Sequence, residues 1–155
     1  MKLVFSFAVV TFGIWANATL AQIHLGVGVC YGSDISRVGI DLRGYYGFSP
    51  TLRLTPNFHY FFTESGTSFW TIDVNVHYIF FEYRRQQRVY GLLGLQYARS
   101  SVDLGFVTAS DSEIGLNVGV GGETRLDFGA IFGEIKFVLG GAEQLVTSAG
   151  LRFSL

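Results

Sequence analysis

The chain has 155 residues, which is enough for one domain. Hydrophobic residues make up 49% of the chain and charged residues 15%, which is too apolar for a disordered chain. The net charge is −1 and there is no basic patch, so nothing indicates a nucleic-acid partner. After the first twenty residues no window is apolar enough for a membrane helix. Because Cys30 is the only cysteine, an internal disulfide and a cysteine-based metal site are excluded as well.

The N-terminal segment 1–21 has the pattern of a cleaved secretory signal. Lys2 supplies the positive start, residues 3–15 form an apolar run too short to span a membrane, and small residues follow at 16–18 and 19–21. Cleavage after Ala21 is favoured because an alternating pattern begins at once with Gln22. The alternative is a buried hydrophobic strand. We therefore predict a mature domain of residues 22–155 that is exported across the inner membrane.

The remainder of the chain alternates between apolar and polar residues, as strands with one apolar face do. The clearest segment is 69–81, where Trp70 to Phe80 are apolar at even positions, and Thr71 to His77 are polar at odd positions. The predicted strands are 23–31, 37–48, 52–62, 69–81, 89–98, 114–124, 130–139 and 145–155. Pro56 lies inside the third of these and predicts an edge or a bulge there. Each segment is long enough for a tilted membrane-spanning strand, which needs about 9–11 residues.

Two arrangements of an eight-stranded barrel are compatible with this pattern. A soluble lipocalin-like barrel would place its apolar face inside, around a ligand. The apolar face carries many aromatic residues, whereas the interior of an eight-stranded barrel is only just wide enough for its side chains. The opposite face is rich in glycine. We therefore predict an all-β, eight-stranded, antiparallel up-and-down transmembrane barrel with its apolar face toward lipid.

The polar face then fills the lumen, and its charges are nearly balanced. Charges are tolerated in a desolvated interior only when they are paired and hydrogen-bonded, so an interstrand ion network is expected to plug the lumen. The predicted members are Arg37, Asp41, Arg43, Arg53, Asp73, His77, Glu123, Glu134, Lys136 and Arg152.

Aromatic residues cluster at both ends of the apolar face, which is typical of the two girdles of a spanning barrel. With the N-terminus in the periplasm, the outer girdle comprises Tyr31, Tyr60, Phe62, Trp70 and Tyr97. The inner girdle comprises Tyr46, Phe48, Tyr78, Phe80 and Phe153. The longest link, 99–113, falls outside the cell in this orientation. The Arg-rich turn 82–88 falls in the periplasm.

The sequence resembles the small outer-membrane β-barrel proteins, the porin-like or OmpX/OmpA-type group common in Bacteroidetes. Residues 132–138, Phe-Gly-Glu-Ile-Lys-Phe-Val, and the closing segments 141–144 and 149–153 carry the resemblance. It implies the outer membrane of a Gram-negative bacterium as the location, with the lipid bilayer and the barrel-assembly machinery as partners. The assembly signal of the family usually ends in an aromatic residue, whereas this chain ends in Leu155 with Phe153 two places earlier.

The residues give little indication of chemistry. His24, His59 and His77 fall on the inward face, without a second ligand at a metal-like spacing, and lumen packing explains them better than a metal site. Asp73 and His77 could form two parts of a triad, but no nucleophile signature accompanies them. We predict a non-enzymatic protein without metal or cofactor, whose role is structural or depends on an unknown extracellular ligand bound through 99–113. The alternatives are a lipid A-modifying enzyme and a narrow channel.

Overall fold

The computed structural model describes residues 22–141 and 143–154, and the predicted signal segment lies outside them. The described chain forms eight β-strands. Their bounds are β1 (Gln22–Gly32), β2 (Arg37–Gly47), β3 (Leu52–Phe61), β4 (Thr67–Tyr83), β5 (Gln87–Asp103), β6 (Thr108–Leu126), β7 (Gly129–Leu139) and β8 (Gln144–Ser154). No helix in these ranges is long and apolar enough to cross a bilayer.

Each strand pairs antiparallel with its neighbours in sequence, and β1 pairs with β8 to close the barrel. The closing register places Leu25 opposite Phe153 and Val27 opposite Leu151. The predicted all-β, eight-stranded, up-and-down barrel is confirmed. The chain therefore ends on the side where it begins, and we call this end, with Gln22 and Ser154, the terminal mouth. The opposite end, where β5 turns into β6, is called the hairpin mouth.

The apolar face of every strand points away from the barrel axis. Along β4 the exposed residues are Ile72, Val74, Val76 and Tyr78, whereas Asp73 and His77 between them are 0% exposed. The exterior is consequently a continuous apolar surface and the interior is polar. The lipocalin-like alternative, which needs an apolar interior, is wrong for this reason.

Pro56 lies within β3 and faces outward, opposite Val74 of β4. It interrupts the ladder with β2, where pairing stops after Arg43↔Asn57 and resumes at Tyr46↔Leu54 in the same register. The missing N–H of proline explains a local gap of this kind. Gly44 of β2 lies beside it, where a Cβ would be 3.4 Å from the Pro56 ring, in van der Waals contact with it. The edge or bulge predicted at Pro56 is therefore wrong: the register does not shift and β3 pairs with both neighbouring strands, so the proline causes only a gap in the β2–β3 ladder.

Segment 99–113 is not the long loop that the sequence predicted. β5 continues to Asp103 and β6 begins at Thr108, so only residues 104–107 form the turn. The two strands pair without a break from Arg99↔Ser112 to Asp103↔Thr108. We call residues 99–113 the ribbon. In the same way the predicted turn 82–88 shrinks to residues 84–86, because β4 and β5 pair as far as Tyr83↔Gln87.

Candidate functional site: the barrel interior and the ribbon

Arg43 lies at the centre of the charged cluster in the lumen. Its Nη1 donates to Glu134 Oε2 at 2.9 Å, and its other nitrogens pair with the Asp41 carboxylate. Glu134 Oε2 also accepts from the Tyr90 hydroxyl at 2.9 Å. The guanidinium lies over the Phe132 ring, 4.1 Å from its centroid. β2, β5 and β7 are thereby tied together across the lumen, by side chains that are all buried.

A second cluster lies toward the hairpin mouth. Lys136 of β7 forms an ion pair with Asp73 of β4 across the barrel. Beside it, Asn117 Nδ2 donates to Asn75 Oδ1 at 2.9 Å. A buried ammonium and carboxylate stabilise each other only when both are present, so each depends on its partner.

A third cluster lies toward the terminal mouth and converges on Glu123 of β6. Arg53 Nη1 donates to Glu123 Oε2 at 2.9 Å, and Arg152 Nη2 donates to Oε1 at 3.1 Å. Arg53 Nε is 3.3 Å from His77 Nδ1, which it can use as an acceptor. His77 in turn stacks on the Tyr90 ring at 4.3 Å between centroids. Arg53 and His77 thus link the third cluster to the Arg43 cluster.

Arg37 is the one predicted network residue that the structure places elsewhere. Its Nη2 bonds Glu64 Oε1 at 2.8 Å at the hairpin mouth, where both side chains are solvent-exposed. It is the first residue of β2 and lies above the lumen, although it shares the inward face with Asp41 and Arg43. Without Arg37, four cations face four anions in the lumen. These are Arg43, Arg53, Lys136 and Arg152 against Asp41, Asp73, Glu123 and Glu134.

Large aromatic side chains share the interior, which the sequence analysis expected to be filled by charges and glycine. Tyr45, Tyr90 and Phe132 are fully buried beside the central charges. Gly121 and Gly26 lie against them and leave room for Tyr90 and for the Arg43 and Tyr45 side chains. The signal was present in the sequence: Phe132 has the same parity as Glu134 and Lys136, so alternation places it inward.

An apolar layer lies in the lumen toward the hairpin mouth. It consists of Cys30, Phe61, Phe69, Ala98, Val138 and Val146, with Ile35 of the β1–β2 turn packed against it. Cys30 is thus a buried packing residue. Between this layer and the terminal mouth, the charged clusters and their aromatic neighbours share the lumen with buried neutral polar side chains such as Asn57, Asn75 and Gln96.

The histidines have separate environments. His59 Nδ1 is 3.0 Å from Thr71 Oγ1, and its ring lies 3.6 Å from an Asp41 oxygen and 3.7 Å from Asp73. A hydroxyl, an imidazole and a carboxylate in contact resemble parts of a triad, but all are at most 1% exposed and a substrate has no access. Asp73 and His77 do not contact as a pair. In the described ranges no group of three or more His, Cys, Asp and Glu side chains is arranged to hold a metal ion.

The predicted girdle residues lie in two outward-facing bands. At the hairpin mouth, the Trp70 ring contacts Tyr97 at 5.9 Å and Phe58 at 6.1 Å between centroids. Trp70 and Phe80 on β4 are about 33 Å apart along the strand at about 3.3 Å per residue. At a tilt of about 40° this is about 25 Å along the barrel axis, the height of the apolar band in spanning barrels.

The ribbon extends beyond the hairpin-mouth girdle. Its turn at Leu104 is about 23 Å farther along the strand than Tyr97, at about 3.3 Å per residue. Leu104 N donates to Val107 O at 2.9 Å, and Asp103 N donates to Gly66 O of the β3–β4 loop at 2.6 Å. These backbone bonds hold the ribbon in place. Its tip is apolar and open, with Phe106 89% exposed beside exposed Leu104 and Val107.

Comparison with protein-family models and with curated protein sequences gives no significant match. Solved structures do match. The N-terminal barrel domain of Pseudomonas aeruginosa OprF superposes with a TM-score of 0.70 at 12% identity, over 87% of this chain and 99% of that one. The chain has the fold of the small outer-membrane barrels.

Two further solved barrels have the same architecture. Neisserial surface protein A matches with a TM-score of 0.68 at 17% identity, over 87% of this chain and 97% of its own. Ail, the attachment invasion locus protein of Yersinia pestis, matches with a TM-score of 0.60 at 19% identity, over 86% and 97%. At these identities the likeness concerns the fold alone.

Proposed function

We propose that the protein is a non-enzymatic integral protein of a Gram-negative outer membrane that binds an extracellular partner through the ribbon. The continuous apolar exterior and the two aromatic bands support the membrane location, because a closed barrel satisfies its backbone hydrogen bonds within itself and exposes only apolar side chains to lipid. The secretory pattern of residues 1–21 supports export, and folding then requires the barrel-assembly machinery.

The membrane part of the proposal is tested by electrophoresis of the outer-membrane fraction, boiled and unboiled. A closed barrel resists unfolding in detergent, so the unboiled sample is expected to migrate differently from the boiled one, in that fraction alone. Recovery in the soluble periplasmic fraction without a mobility shift would contradict it.

The ribbon carries the binding part of the proposal. A chain that only had to span the bilayer could end β5 near Tyr97, yet this one continues a paired two-stranded structure to an apolar tip. Exposed Phe106 and Val107 on a rigid support are typical of an interaction surface, since large apolar side chains in water are otherwise unfavourable. Two of the similar structures bear names that refer to the cell surface or to attachment, Neisserial surface protein A and the attachment invasion locus protein, which agrees with such a role.

The outer edge of the ribbon argues against binding by strand addition. Residues 108–115 of β6 pair only with β5, because pairing with β7 begins at Leu116. That edge carries the exposed carboxylates of Asp111 and Glu113, and charges on an edge strand discourage pairing with another chain. Recognition by the apolar tip is therefore the mode that we propose, with a partner that offers an apolar pocket and cationic neighbours.

The test compares adhesion to cultured epithelial cells by a Gram-negative host with and without the protein. Expression is expected to raise adhesion, and the double substitution Phe106→Ser with Val107→Ser is expected to remove the increase. Phe128→Ser is the matched control, because Phe128 is 57% exposed at the terminal mouth. An increase that survives the double substitution, or no increase at all, would contradict the binding role.

The placement of the polar residues also supports a non-enzymatic role. A lipid A-modifying enzyme needs its nucleophile and base at the outer bilayer margin, whereas the side chains of Thr71 and His59 are buried inside the barrel. We expect the mass spectrum of lipid A to be identical with and without the protein. A change in its acyl chains would favour the enzymatic alternative.

A further inference from the structure

A cavity of about 590 Å³ opens at the terminal mouth, below the charged clusters of the lumen. Strand ends and the turns after β2 and β4 form its wall. Five arginines and only two acidic residues line it, which leaves an excess of positive charge. These are Arg53, Arg85, Arg88, Arg125 and Arg152 against Glu82 and Glu123.

The two carboxylates are insufficient for the five guanidinium groups. Glu123 is shared by Arg53 at 2.9 Å, Arg152 at 3.1 Å and Arg88 at 3.6 Å. Glu82 pairs with Arg88 alone, at 2.6 Å. Neither Arg85 nor Arg125 forms an ion pair with any residue in the described ranges. Both of these side chains are solvent-exposed, so the excess positive charge at the mouth of the cavity is open to an anion and attracts one electrostatically.

Several hydrogen-bond donors on the wall have no acceptor among the described residues. Arg53 Nη2 and the Tyr45 hydroxyl both lack an acceptor, although the two residues are buried, with only 4% and 2% of their surface exposed. Arg152 Nε and His24 Nδ1 on the same wall also lack a partner there. A buried polar group without a partner costs free energy, so these groups together call for an acceptor with several oxygens.

The turn that carries Arg85 to the wall has an unusual backbone. Arg84 and Arg85 have φ of 50° and 55°, and Gln86 N donates to Tyr83 O at 3.0 Å, which closes a β-turn with the two arginines at its central positions. Positive φ at both central positions is the geometry of a type I′ turn, which favours Asn-Gly. Two arginines therefore occupy positions that glycine would occupy with less strain, and one of them lines the cavity.

We propose that the cavity at the terminal mouth binds a phosphate group. Phosphate fits better than a carboxylate, because it carries up to two charges against the excess on the wall and offers more oxygen acceptors to the unpartnered donors. The source can be free phosphate or the phosphate of a lipid headgroup that reaches the mouth. The site does not depend on the proposed function, since it lies at the end of the barrel opposite the ribbon.

The test is calorimetric titration of inorganic phosphate into the folded protein, in a nonionic detergent and a phosphate-free buffer. Binding of one phosphate per barrel is expected, and it should weaken as sodium chloride is added because the attraction is electrostatic. Arg125→Ala and Arg85→Gly are each expected to weaken binding about tenfold, equivalent to about 1.4 kcal/mol. Arg99→Ala, which removes an exposed arginine at the hairpin mouth, is the control and should leave binding unchanged.

Arg85→Gly separates loss of the site from loss of the fold. Glycine accepts a positive φ without strain, so this variant should unfold at a higher urea concentration than the wild type while binding phosphate more weakly. Absence of binding to the wild type, or equal binding by the wild type and both cavity variants, would overturn the proposal. Displacement of phosphate by dihexanoyl phosphatidic acid would identify a lipid headgroup as a source, and failure to displace it would indicate free phosphate; both results retain the site.

Discussion

Gly121 lies directly against the ring of Tyr90, so that a Cβ at residue 121 would be 2.7 Å from Tyr90 Cε2. Tyr90 is fully buried and donates to Glu134, hence its ring cannot move aside without breaking a bond of the central cluster. The glycine is thus part of the packing of the charged interior.

Gly121→Ala is expected to lower the free energy of unfolding by about 1–3 kcal/mol, the usual cost of overpacking. Gly133→Ala is the matched control on β7, because a Cβ there meets nothing within 4 Å. Urea unfolding in detergent micelles, followed by tryptophan fluorescence, gives both values. Equal stability of the two variants would show that the ring of Tyr90 has room to shift.

The alternation of apolar and polar residues predicted correctly which way most strand side chains point, because the same apolar surroundings act on the outward face of every strand. This alternation does not predict the strands of the ribbon. Residues 99–113 lie beyond the girdles, where water surrounds both faces and no apolar face is needed, so the polar sequence looked like a loop although its backbone remains paired. The prediction that Arg37 belongs to the lumen network was wrong for a related reason. Strand parity gives the direction in which a side chain points, but not its height along the barrel axis.

The ion pairs of the interior could not be predicted individually. Lys136 and Asp73 are on β7 and β4, which are not adjacent, and their contact depends on the stagger of all the strands between them. The inward direction of Phe132 could be read from strand parity, but its packing could not, because it depends on Gly150 and on the Tyr45 ring beside it.

Lys136→Met is expected to lower the free energy of unfolding by about 3–5 kcal/mol, since it leaves the buried Asp73 carboxylate without its cation. Lys136→Met combined with Asp73→Asn removes both charges and should recover most of that loss. Arg37→Ala breaks an exposed pair and should cost less than about 1 kcal/mol. Urea titrations of the wild type, of the single variants Lys136→Met and Asp73→Asn, and of the double variant give the coupling energy of the pair directly. A double variant that loses the sum of the single effects would show that the pair contributes no coupling.

The lumen is expected not to conduct ions. The apolar layer around Phe61 and Phe69 lies above clusters in which every lumen charge is paired, so a hydrated ion finds no continuous path. Planar-bilayer recording of the purified barrel should show no stepwise current at moderate voltage. Reproducible single-channel steps that disappear when the preparation lacks the protein would instead establish the narrow channel considered from the sequence.

The orientation of the barrel can be read from cysteine labelling in intact cells. Cys30 is buried in the apolar layer, so the native protein should react with maleimide only after unfolding in urea. Labelling of the folded protein therefore reports only on a single introduced cysteine. Ser110→Cys on the exposed ribbon should react with a membrane-impermeant maleimide in whole cells, because we expect the ribbon to lie outside the cell. Ser49→Cys in the β2–β3 turn should react only after the outer membrane is permeabilised, because we expect the terminal mouth to face the periplasm. The reverse labelling pattern would show that the barrel has the opposite orientation. The apolar tip with Phe106 would then face the periplasm, where it could not bind an extracellular partner.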